Sequence, residues 1–244
     1  MFNTLQMDII VHSLEPVMLV GGGPVGESDL SQVLTIAPTI VAADGGAVPV
    51  IEAGLMPYAV TGDFDSLPKP LRDALPDGLL HHTPDQNYTD FDKALRLIDA
   101  PVVVAVGCMG GRVDHQLAAF HSLVARCNHR CVLVGPEEIV FHCPKHIDLP
   151  TQAGDVVSLF PMARVTGRSD GLKWPIEGLD FAPDVFVGTS NRATGPSALH
   201  MDVPGMLVIL PRRMLAQVTQ RLADLPQLAQ WPARAAQYTD PPQS

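Results

Sequence analysis

The sequence predicts an α/β fold, with a parallel sheet in the N-terminal part and a small antiparallel β part after it. Up to about residue 145, short apolar runs alternate with segments of helical spacing, which is the pattern of a parallel α/β sheet. After Pro150, short β-like runs are separated by glycine and proline. A chain of 244 residues with 46% hydrophobic content is long enough for two modest domains.

The N-terminal part is expected to contain five buried strands with helices between them. Its short apolar runs occupy residues 17–20, 40–43, 58–61, 102–106 and 131–134. Helical spacing is found over residues 28–36, 48–53, 90–98 and 114–126. Strands that alternate with helices in this way are joined by crossovers, so the strands should run parallel.

The C-terminal part is expected to form short antiparallel strands followed by one helix. The β-like runs occupy residues 155–160, 164–166, 185–189, 198–201 and 207–210. Residues 213–222 have the spacing of an amphipathic helix, and the proline-rich end after it is expected to be poorly ordered. The predicted divisions are therefore residues 1–145, 150–215 and 216–244.

Charge and composition exclude several classes of partner. With 26 acidic and 16 basic side chains the formal charge is −10, and no basic patch is visible, so no nucleic acid partner is expected. The first residues lack a basic region followed by an apolar core, and no apolar run is long enough to span a bilayer, so we expect a cytoplasmic protein without membrane contact. The four cysteines, Cys108, Cys127, Cys131 and Cys143, lack CxxC spacing and are expected to be reduced core thiols.

A glycine-rich segment follows the first predicted strand. Residues 21–26 fit the GxGxxG pattern, in which glycines let backbone amides approach a phosphate. If Asp44 contacted a ribose, the pattern would indicate a dinucleotide-dependent oxidoreductase. The alternative is a glycine-rich turn between a strand and a helix, because so short a motif often matches by chance.

The segment Thr61-Gly62-Asp63-Phe64-Asp65-Ser66 is more informative. It follows a predicted strand, so it should lie at the carboxyl edge of the sheet, where open α/β folds bind ligands. Two carboxylates that face one point repel each other unless a cation lies between them, so Asp63 and Asp65 favour a hard divalent metal ion. A solvated acidic loop is the alternative.

Two further acidic motifs should lie near the same edge. The turn Asp44-Gly45-Gly46 also follows a strand directly. The segment 85–90 opens a predicted helix, where Thr89 or Asp90 could serve as a cap. Capping would explain one of these residues, but it would not explain three acidic motifs at one edge of the sheet.

The fourth motif is the glycine-rich segment 107–115, which follows the strand at 102–106. Its glycines free the backbone, Arg112 can form a fork of hydrogen bonds to a phosphate, and Asp114 begins a helix. His115 is as consistent with packing as with catalysis. His81 and His82 would point to opposite faces of a strand and are interpreted as structural.

Taken in order and spacing, these motifs resemble the catalytic domain of thiamine pyrophosphokinases. The matching segments are Ala43-Asp44-Gly45-Gly46, Gly62-Asp63-Phe64-Asp65-Ser66, Asp85-Gln86 with Thr89-Asp90, and Gly110-Gly111-Arg112-Val113-Asp114-His115. Farther along, residues 171–174 and 188–191 are similar to the segments that hold thiamine in that family. The resemblance extends to about residue 211. It departs at Asn87, where the family often has an acid.

The resemblance implies an N-terminal α/β catalytic domain with a parallel sheet, joined to a C-terminal antiparallel β-sandwich domain. It also implies a homodimer with active sites at the subunit interface, ATP and thiamine as substrates, and Mg²⁺ on the aspartates. The expected metal ligands are Asp63, Asp65 and Asp90. The expected nucleotide-side residues are Asp44, Gly45, Gly46, Gln86 and Arg112, and Asp114 is expected to orient the substrate.

For thiamine, a cation with two aromatic rings, the resemblance implies contacts in the C-terminal part. Trp174 offers an aromatic face for stacking and cation attraction, and Ser190 and Asn191 offer hydrogen bonds to the aminopyrimidine. A buried core tryptophan is the alternative for Trp174. Besides the oxidoreductase, a non-catalytic nucleotide- or thiamine-sensing module remains open, although intact Asp63, Asp65 and Asp90 speak against it.

Overall fold

A computed structural model describes residues 9–83 and 87–234. The sequence predicts a poorly ordered C-terminal end, and from residue 235 onward this end lies outside the described residues. The described strands are β1 Val11–His12, β2 Val17–Val20, β3 Thr39–Ala43, β4 Ala59–Gly62, β5 Leu80–His82, β6 Ile98–Asp99, β7 Val103–Val106, β8 Cys131–Val134, β9 Glu138–His142, β10 His146–Leu149, β11 Val156–Pro161, β12 Gly167–Leu172, β13 Gly188–Met201 and β14 Met206–Pro211. The helices are α1 Asp29–Leu34, α2 Ala47–Glu52, α3 Lys69–Ala74, α4 Asp90–Arg96, α5 Val113–Ala125 and α6 Leu215–Ala223.

Six strands form the parallel part of the main sheet, in the order β8-β7-β2-β3-β4-β5. The five strands predicted in this region are confirmed with ends that shift by one residue at most, and β5 is additional. From β2 the chain proceeds through β3 and β4 to β5 on one side, and then crosses back to β7 on the other side. The direction of winding therefore reverses between β2 and β7, which is the point where open α/β sheets form a ligand crevice.

The same sheet continues with antiparallel strands. β9 pairs antiparallel with β8 and also with β14, and the hydrogen-bonded path then runs through β11 and β13 to β10, with β12 beside β13. A strand before residue 145 is thus bonded directly to a strand near residue 210, so the expected boundary at residues 145–150 does not interrupt the sheet. The division into domains stays a prediction.

Two details of the C-terminal prediction were wrong. Residues 164–166 form no strand, and the strand lies at β12 instead, whose polar sequence GRSDGL has no apolar run. The runs at 185–189 and 198–201 are not separate strands, because residues 188–201 form the single long strand β13. The first residues of β13 pair with β11 and the later ones with β10 and β12. Gly195 and Pro196 separate the two predicted runs, and they lie beyond the residues of β13 that pair with β11.

The helices occupy the predicted segments with small shifts at their ends. α4 ends at Arg96, and Ile98, predicted to be helical, lies in β6. α6 begins at Leu215 because residues 212–214 form a 3₁₀ turn.

Alternate residues of β2 face two apolar clusters, with Met18 in one and Leu19 in the other, so both faces of the sheet are covered. Within the ranges that the structure describes, no helix has the length and apolar character to cross a bilayer.

The turn before α2 is packed directly onto the end of β2. A methyl carbon added to Gly46 would lie 2.7 Å from the Val20 carbonyl carbon and closer still to its oxygen. Real side-chain carbons do not approach backbone this closely, so this position admits only glycine.

We therefore expect Gly46→Ala to lower the free energy of unfolding by about 1–3 kcal/mol, the usual result of forcing an extra methyl group into a packed site. Gly78→Ala is the matched control, because an added methyl group there meets no atom within 4 Å. Urea unfolding of both variants measures the difference. Equal stabilities would show that the turn relaxes without loss.

Candidate active site

A large cavity lies at the reversal between β2 and β7. Its volume is about 860 Å³, and its described lining comes from the segments after β2, β3, β4 and β7, the start of α4 and the first part of α5. The lining residues are Gly21, Gly22, Gly23, Pro24, Ala43, Asp44, Gly45, Ser66, Thr89, Asp90, Phe91, Gly107, Cys108, Met109, Gly111, Arg112, His115 and Ala119. The structure thus brings together residues from all four predicted N-terminal motifs and from the glycine-rich segment 21–26.

Three carboxylates converge beside this cavity. One oxygen from each of Asp44, Asp63 and Asp65 lies within 4.8 Å of the others. Asp44 is buried, and its Oδ1 atom has no hydrogen-bond partner among the described residues. Its Oδ2 atom accepts a hydrogen bond from the Ser66 amide at 3.2 Å. Hard divalent cations take several carboxylate oxygens as ligands, so this group fits such an ion.

Unusual backbone conformations hold these carboxylates in place. Asp44 has a φ of 45° and Phe64, between Asp63 and Asp65, a φ of 64°. Gly62 has a φ of 152°, and a methyl carbon on it would lie 2.9 Å from the Asp44 Cβ atom. Positive φ at a non-glycine residue is unfavourable and is concentrated at functional sites. The local sequence therefore stores strain where the acidic motifs meet.

The environment disfavours ionisation of Asp44. The pKa of Asp44 is raised from 3.8 to about 6, mainly by burial; the neighbouring Asp65 side chain and the charge of Asp90 also raise this pKa, while hydrogen bonds from Ser66 lower it. A buried carboxylate beside other carboxylates is relieved by a bound cation. This is the electrostatic signature expected of a metal site.

Asp90 lies outside this three-carboxylate group, although it lines the cavity. The Lys93 ammonium group lies 2.6 Å from the Asp90 Oδ1 atom and donates a hydrogen bond to the Thr83 carbonyl at 3.2 Å. Lys93 is only 2% exposed, so its pairing with the cavity residue Asp90 is made from a buried position. Sequence reasoning missed Lys93, although opposite charges three residues apart on a helix were the available signal.

Packing explains part of the glycine pattern in the loop after β2. Methyl carbons on Gly21 and Gly23 would lie 2.8 and 2.6 Å from the Gly107 carbonyl oxygen, and the Gly23 amide donates to that oxygen at 2.9 Å. Gly22 has room, since its nearest neighbour would be 3.8 Å away. The loops after β2 and β7 are thus fitted together, and glycine is required whether or not a phosphate binds.

The two other glycines predicted for the site occupy different positions. Gly45 lines the cavity, whereas Gly46 is buried against β2. Asp44, which the oxidoreductase interpretation placed on a ribose, belongs to the carboxylate group. Gln86 lies outside the described residues.

Arg112 and Asp114 form an exposed ion pair at the mouth of the cavity. Arg112 Nε and Nη2 donate to the two Asp114 oxygens at 3.1 and 2.6 Å. The hydrogen bonds from Arg112 lower the pKa of Asp114 to about 2, so Asp114 remains a carboxylate and is a weak base. Arg112 keeps further N–H groups for a phosphate, because a guanidinium group has five.

The thiol of Cys108 also lines the cavity, unlike the buried thiols of Cys127, Cys131 and Cys143. Burial raises the pKa of Cys108 to about 12, so it stays protonated at neutral pH. A protonated thiol is a poor nucleophile, which argues against covalent catalysis at this residue.

The residues predicted to bind thiamine lie elsewhere. Trp174 is 52% exposed, which excludes the alternative of a buried core tryptophan, whereas Trp231 fills that role at 8%. Ser190 is exposed and Asn191 is buried. These three residues are not among the described residues that line the cavity. Within one chain, the structure therefore does not bring the two halves of the predicted site together.

Fold and site together define an α/β protein with an acidic ligand cavity at the winding reversal of its parallel sheet. The family model described as thiamin pyrophosphokinase, catalytic domain, matches residues 30–134. The resemblance predicted from the sequence is confirmed: residues 30–134 match the model of the thiamin pyrophosphokinase catalytic domain.

Individual relatives agree with this result. Thiamin pyrophosphokinase 1 of Caenorhabditis elegans is 23% identical over 175 residues, which cover 63% of this chain and 71% of that protein. Thiamine pyrophosphokinase 1 of Oryza sativa subsp. japonica is 25% identical over 155 residues, covering 55% and 58%. The solved structure of thiamin pyrophosphokinase from Candida albicans has a TM-score of 0.69 at 17% identity, and the match covers 82% of this chain and 93% of that one. At that identity, the structural likeness shows the fold.

Asp44→Asn should raise the free energy of unfolding when divalent ions are removed with EDTA. Below its ordinary pKa of 3.8, Asp44 is protonated in the folded and unfolded chains, so the variant gains nothing. Between 3.8 and about 6 the unfolded chain ionises first, which destabilises the folded wild type, and above about 6 the full penalty is present. The advantage of the variant should therefore grow over this range and then stay constant.

Thermal unfolding across pH, with and without Mg²⁺, measures this effect. Mg²⁺ should stabilise the wild type more than the variant, because ligand binding stabilises only the chain that holds the ion well. Asp77→Asn, at an exposed acid, is the control. A variant whose relative stability does not change with pH would contradict the buried-charge account.

Proposed function

We propose that this chain transfers the diphosphoryl group of ATP to the hydroxyl group of thiamine, giving thiamine diphosphate and AMP. The observation that carries the proposal is the group of three carboxylates at the winding reversal, within the segment that matches the catalytic domain of the family. A bond forms between the thiamine oxygen and the β-phosphorus. The bond from the β-phosphorus to the oxygen that it shares with the α-phosphorus breaks, that oxygen leaves with AMP, and the proton of the thiamine hydroxyl passes to solvent.

Asp44, Asp63 and Asp65 would hold Mg²⁺, which when bound supplies positive charge to the phosphate oxygens. We retain Asp90 as a further ligand, because it lines the cavity and its charge raises the pKa of Asp44, which means that it lies near the group. Lys93 contacts Asp90 at 2.6 Å and so fixes the position of its side chain. With Lys93 beside Asp90, the four carboxylates and Lys93 together carry less negative charge than the four carboxylates alone.

The nucleotide phosphates are proposed to lie against the glycine loops. Gly22 and Gly45 border the cavity, Gly22 has room for a close approach, and Arg112 can add a charged donor. Asp114 orients Arg112 through two hydrogen bonds, which is a positioning role and not that of a base. Gln86 is proposed on the nucleotide side by resemblance alone.

Thiamine is proposed to bind on the exposed face of Trp174, with Ser190 nearby. Since these residues do not line the cavity of their own chain, a homodimer in which one chain supplies the carboxylates and the other the aromatic face would complete the site. The proposed domain organisation is a catalytic domain at residues 1–145, a thiamine-binding β-sandwich at 150–215 and a C-terminal helix and tail at 216–244. Four free thiols are in keeping with a cytoplasmic location.

The alternatives have less support. The oxidoreductase required Asp44 to contact a ribose, but this residue belongs to the carboxylate group. A sensing module without catalysis would have no use for three convergent carboxylates with a strained backbone.

Purified protein incubated with ATP, Mg²⁺ and thiamine should form thiamine diphosphate and AMP in equal amounts. Asp63→Asn and Asp65→Asn should remove most of this activity, at a cost of several kcal/mol in the transition state, because each loses a charged metal ligand at nearly constant volume. Chromatographic product analysis and circular dichroism separate lost chemistry from lost fold. Turnover that persists undiminished in EDTA would contradict the metal-dependent proposal.

Mixing Asp63→Asn subunits with Trp174→Ala subunits should restore activity at low thiamine concentration. In a mixed dimer with shared sites, one of the two sites carries neither substitution, so random exchange leaves about a quarter of all sites intact. Neither variant alone should show this activity. An active monomer in sedimentation, or no regain after proven subunit exchange, would mean that each chain builds its site alone.

A further inference from the structure

The Asn191 side chain is committed to the backbone of Trp174. Its Nδ2 group donates to the Trp174 carbonyl at 2.6 Å, and its Oδ1 atom accepts from the amides of Trp174 at 3.2 Å and Arg192 at 2.8 Å. An asparagine amide offers two N–H groups and two lone pairs, so both lone pairs and one N–H are taken. With Asn191 only 7% exposed, little hydrogen-bonding capacity remains for a ligand.

A β-bulge directs Asn191 to this position. Val157 pairs with Asn191 and Leu159 with Gly188, so the register between β11 and β13 shifts at this point. Ser190 has a φ of 63°, and its amide donates to Ser158 Oγ at 2.9 Å, which satisfies the group that the bulge leaves unpaired. Bulges re-aim the side chain that follows them, and here two consecutive exposed residues precede a buried one.

The Trp174 backbone is therefore held by hydrogen bonds while its side chain is about half exposed, with the Lys173 ammonium group 4.7 Å from the centre of the ring. The Lys173 amide donates to the Arg192 carbonyl at 2.7 Å, which continues the pairing of β12 with β13 by one step. At Trp174 the Asn191 side chain takes the place of the next backbone partner, and Pro175 restricts Trp174 to an extended conformation. A large aromatic ring that is half exposed on a fixed backbone is preorganised for stacking.

We propose that Asn191 is a positioning residue that holds Trp174 as the platform for an aromatic, cationic ligand, and that it is not itself a ligand. This replaces the hydrogen bond to the aminopyrimidine expected from the sequence. The effect on catalysis rests on the thiamine-binding role proposed above for Trp174. The structural part, the restraint on Trp174, stands on the hydrogen bonds alone.

A double-mutant cycle distinguishes positioning from direct binding. Trp174→Ala should raise the KM for thiamine by about 10- to 100-fold and Asn191→Ala by about 3- to 10-fold, with the KM for ATP unchanged in both. In the Trp174→Ala background, Asn191→Ala should have no further effect on the KM for thiamine, because there is no platform left to position. If Asn191→Ala raises this KM equally in both backgrounds, Asn191 binds thiamine directly and the proposal is wrong.

Thr151→Val is the matched control for general loosening of this part of the fold. Thr151 is buried, and its hydroxyl bonds to the Gly195 carbonyl and to Ser197 Oγ, both at 2.8 Å, on the same strand β13. Its loss should lower the melting temperature while the KM for thiamine stays constant. An equal rise of the KM for thiamine in this variant would overturn a specific role for Asn191. Asn191→Ser, whose shorter side chain cannot span both Trp174 groups, serves if Asn191→Ala does not fold.

Fluorescence tests the restraint without any substrate. The chain has two tryptophans, and the spectrum of Trp174→Phe gives the contribution of buried Trp231. By difference, Asn191→Ala should lower the anisotropy of Trp174 and increase its quenching by acrylamide. Unchanged anisotropy would overturn the proposal. If the wild type makes no thiamine diphosphate, the proposed function fails, while this measurement still decides the role of Asn191.

Discussion

The close fit of backbone turns at the carboxyl edge of the parallel sheet is the constraint on which the candidate site depends. The loop after β2 is fitted against Gly107, Gly46 lies against the end of β2, and Gly62 lets Asp44 approach the chain after β4. None of these contacts leaves room for a side chain. The cavity, the carboxylates and the glycine pattern therefore follow from one packing arrangement, in which the winding reversal between β2 and β7 opens a crevice and the glycines set how closely its walls approach.

This arrangement concentrates negative charge, and the surrounding residues limit the cost in different ways. Ser66 donates a hydrogen bond to Asp44, and Lys93 neutralises Asp90 from a buried position. Asp44 is left with a buried oxygen without a described partner and with a raised pKa, so its charge is poorly compensated. A site that stabilises some carboxylates internally and leaves one uncompensated is prepared for a cation and not for a neutral ligand.

The sequence predicted the parallel strands and the edge motifs because both leave local signals. Strands covered on both faces read as continuous apolar runs, and motifs that directly follow them fall at one edge. β12 was missed because its sequence is polar, and β13 was divided because Gly195 and Pro196 resemble a break. Lys93 was missed, and the hydrogen bonds of Asn191 to the backbone were not foreseen, because no local pattern tells whether a polar side chain will be buried or will bond to backbone.

The three non-glycine residues with positive φ in the described part of the chain show how the site directs its side chains. Asp44 and Phe64 lie in the acidic motifs, and Ser190 lies in the segment predicted to bind thiamine. In two of these cases a hydrogen bond with a serine supports the strained turn, from the Ser66 amide to Asp44 and from the Ser190 amide to Ser158. The turn at Asp44 sends a carboxylate inward, and the bulge at Ser190 sends Asn191 inward beneath Trp174. At Asp44 and Ser190 the strain thus has a common result, since each of these two turns exchanges local backbone stability for the orientation of one polar side chain.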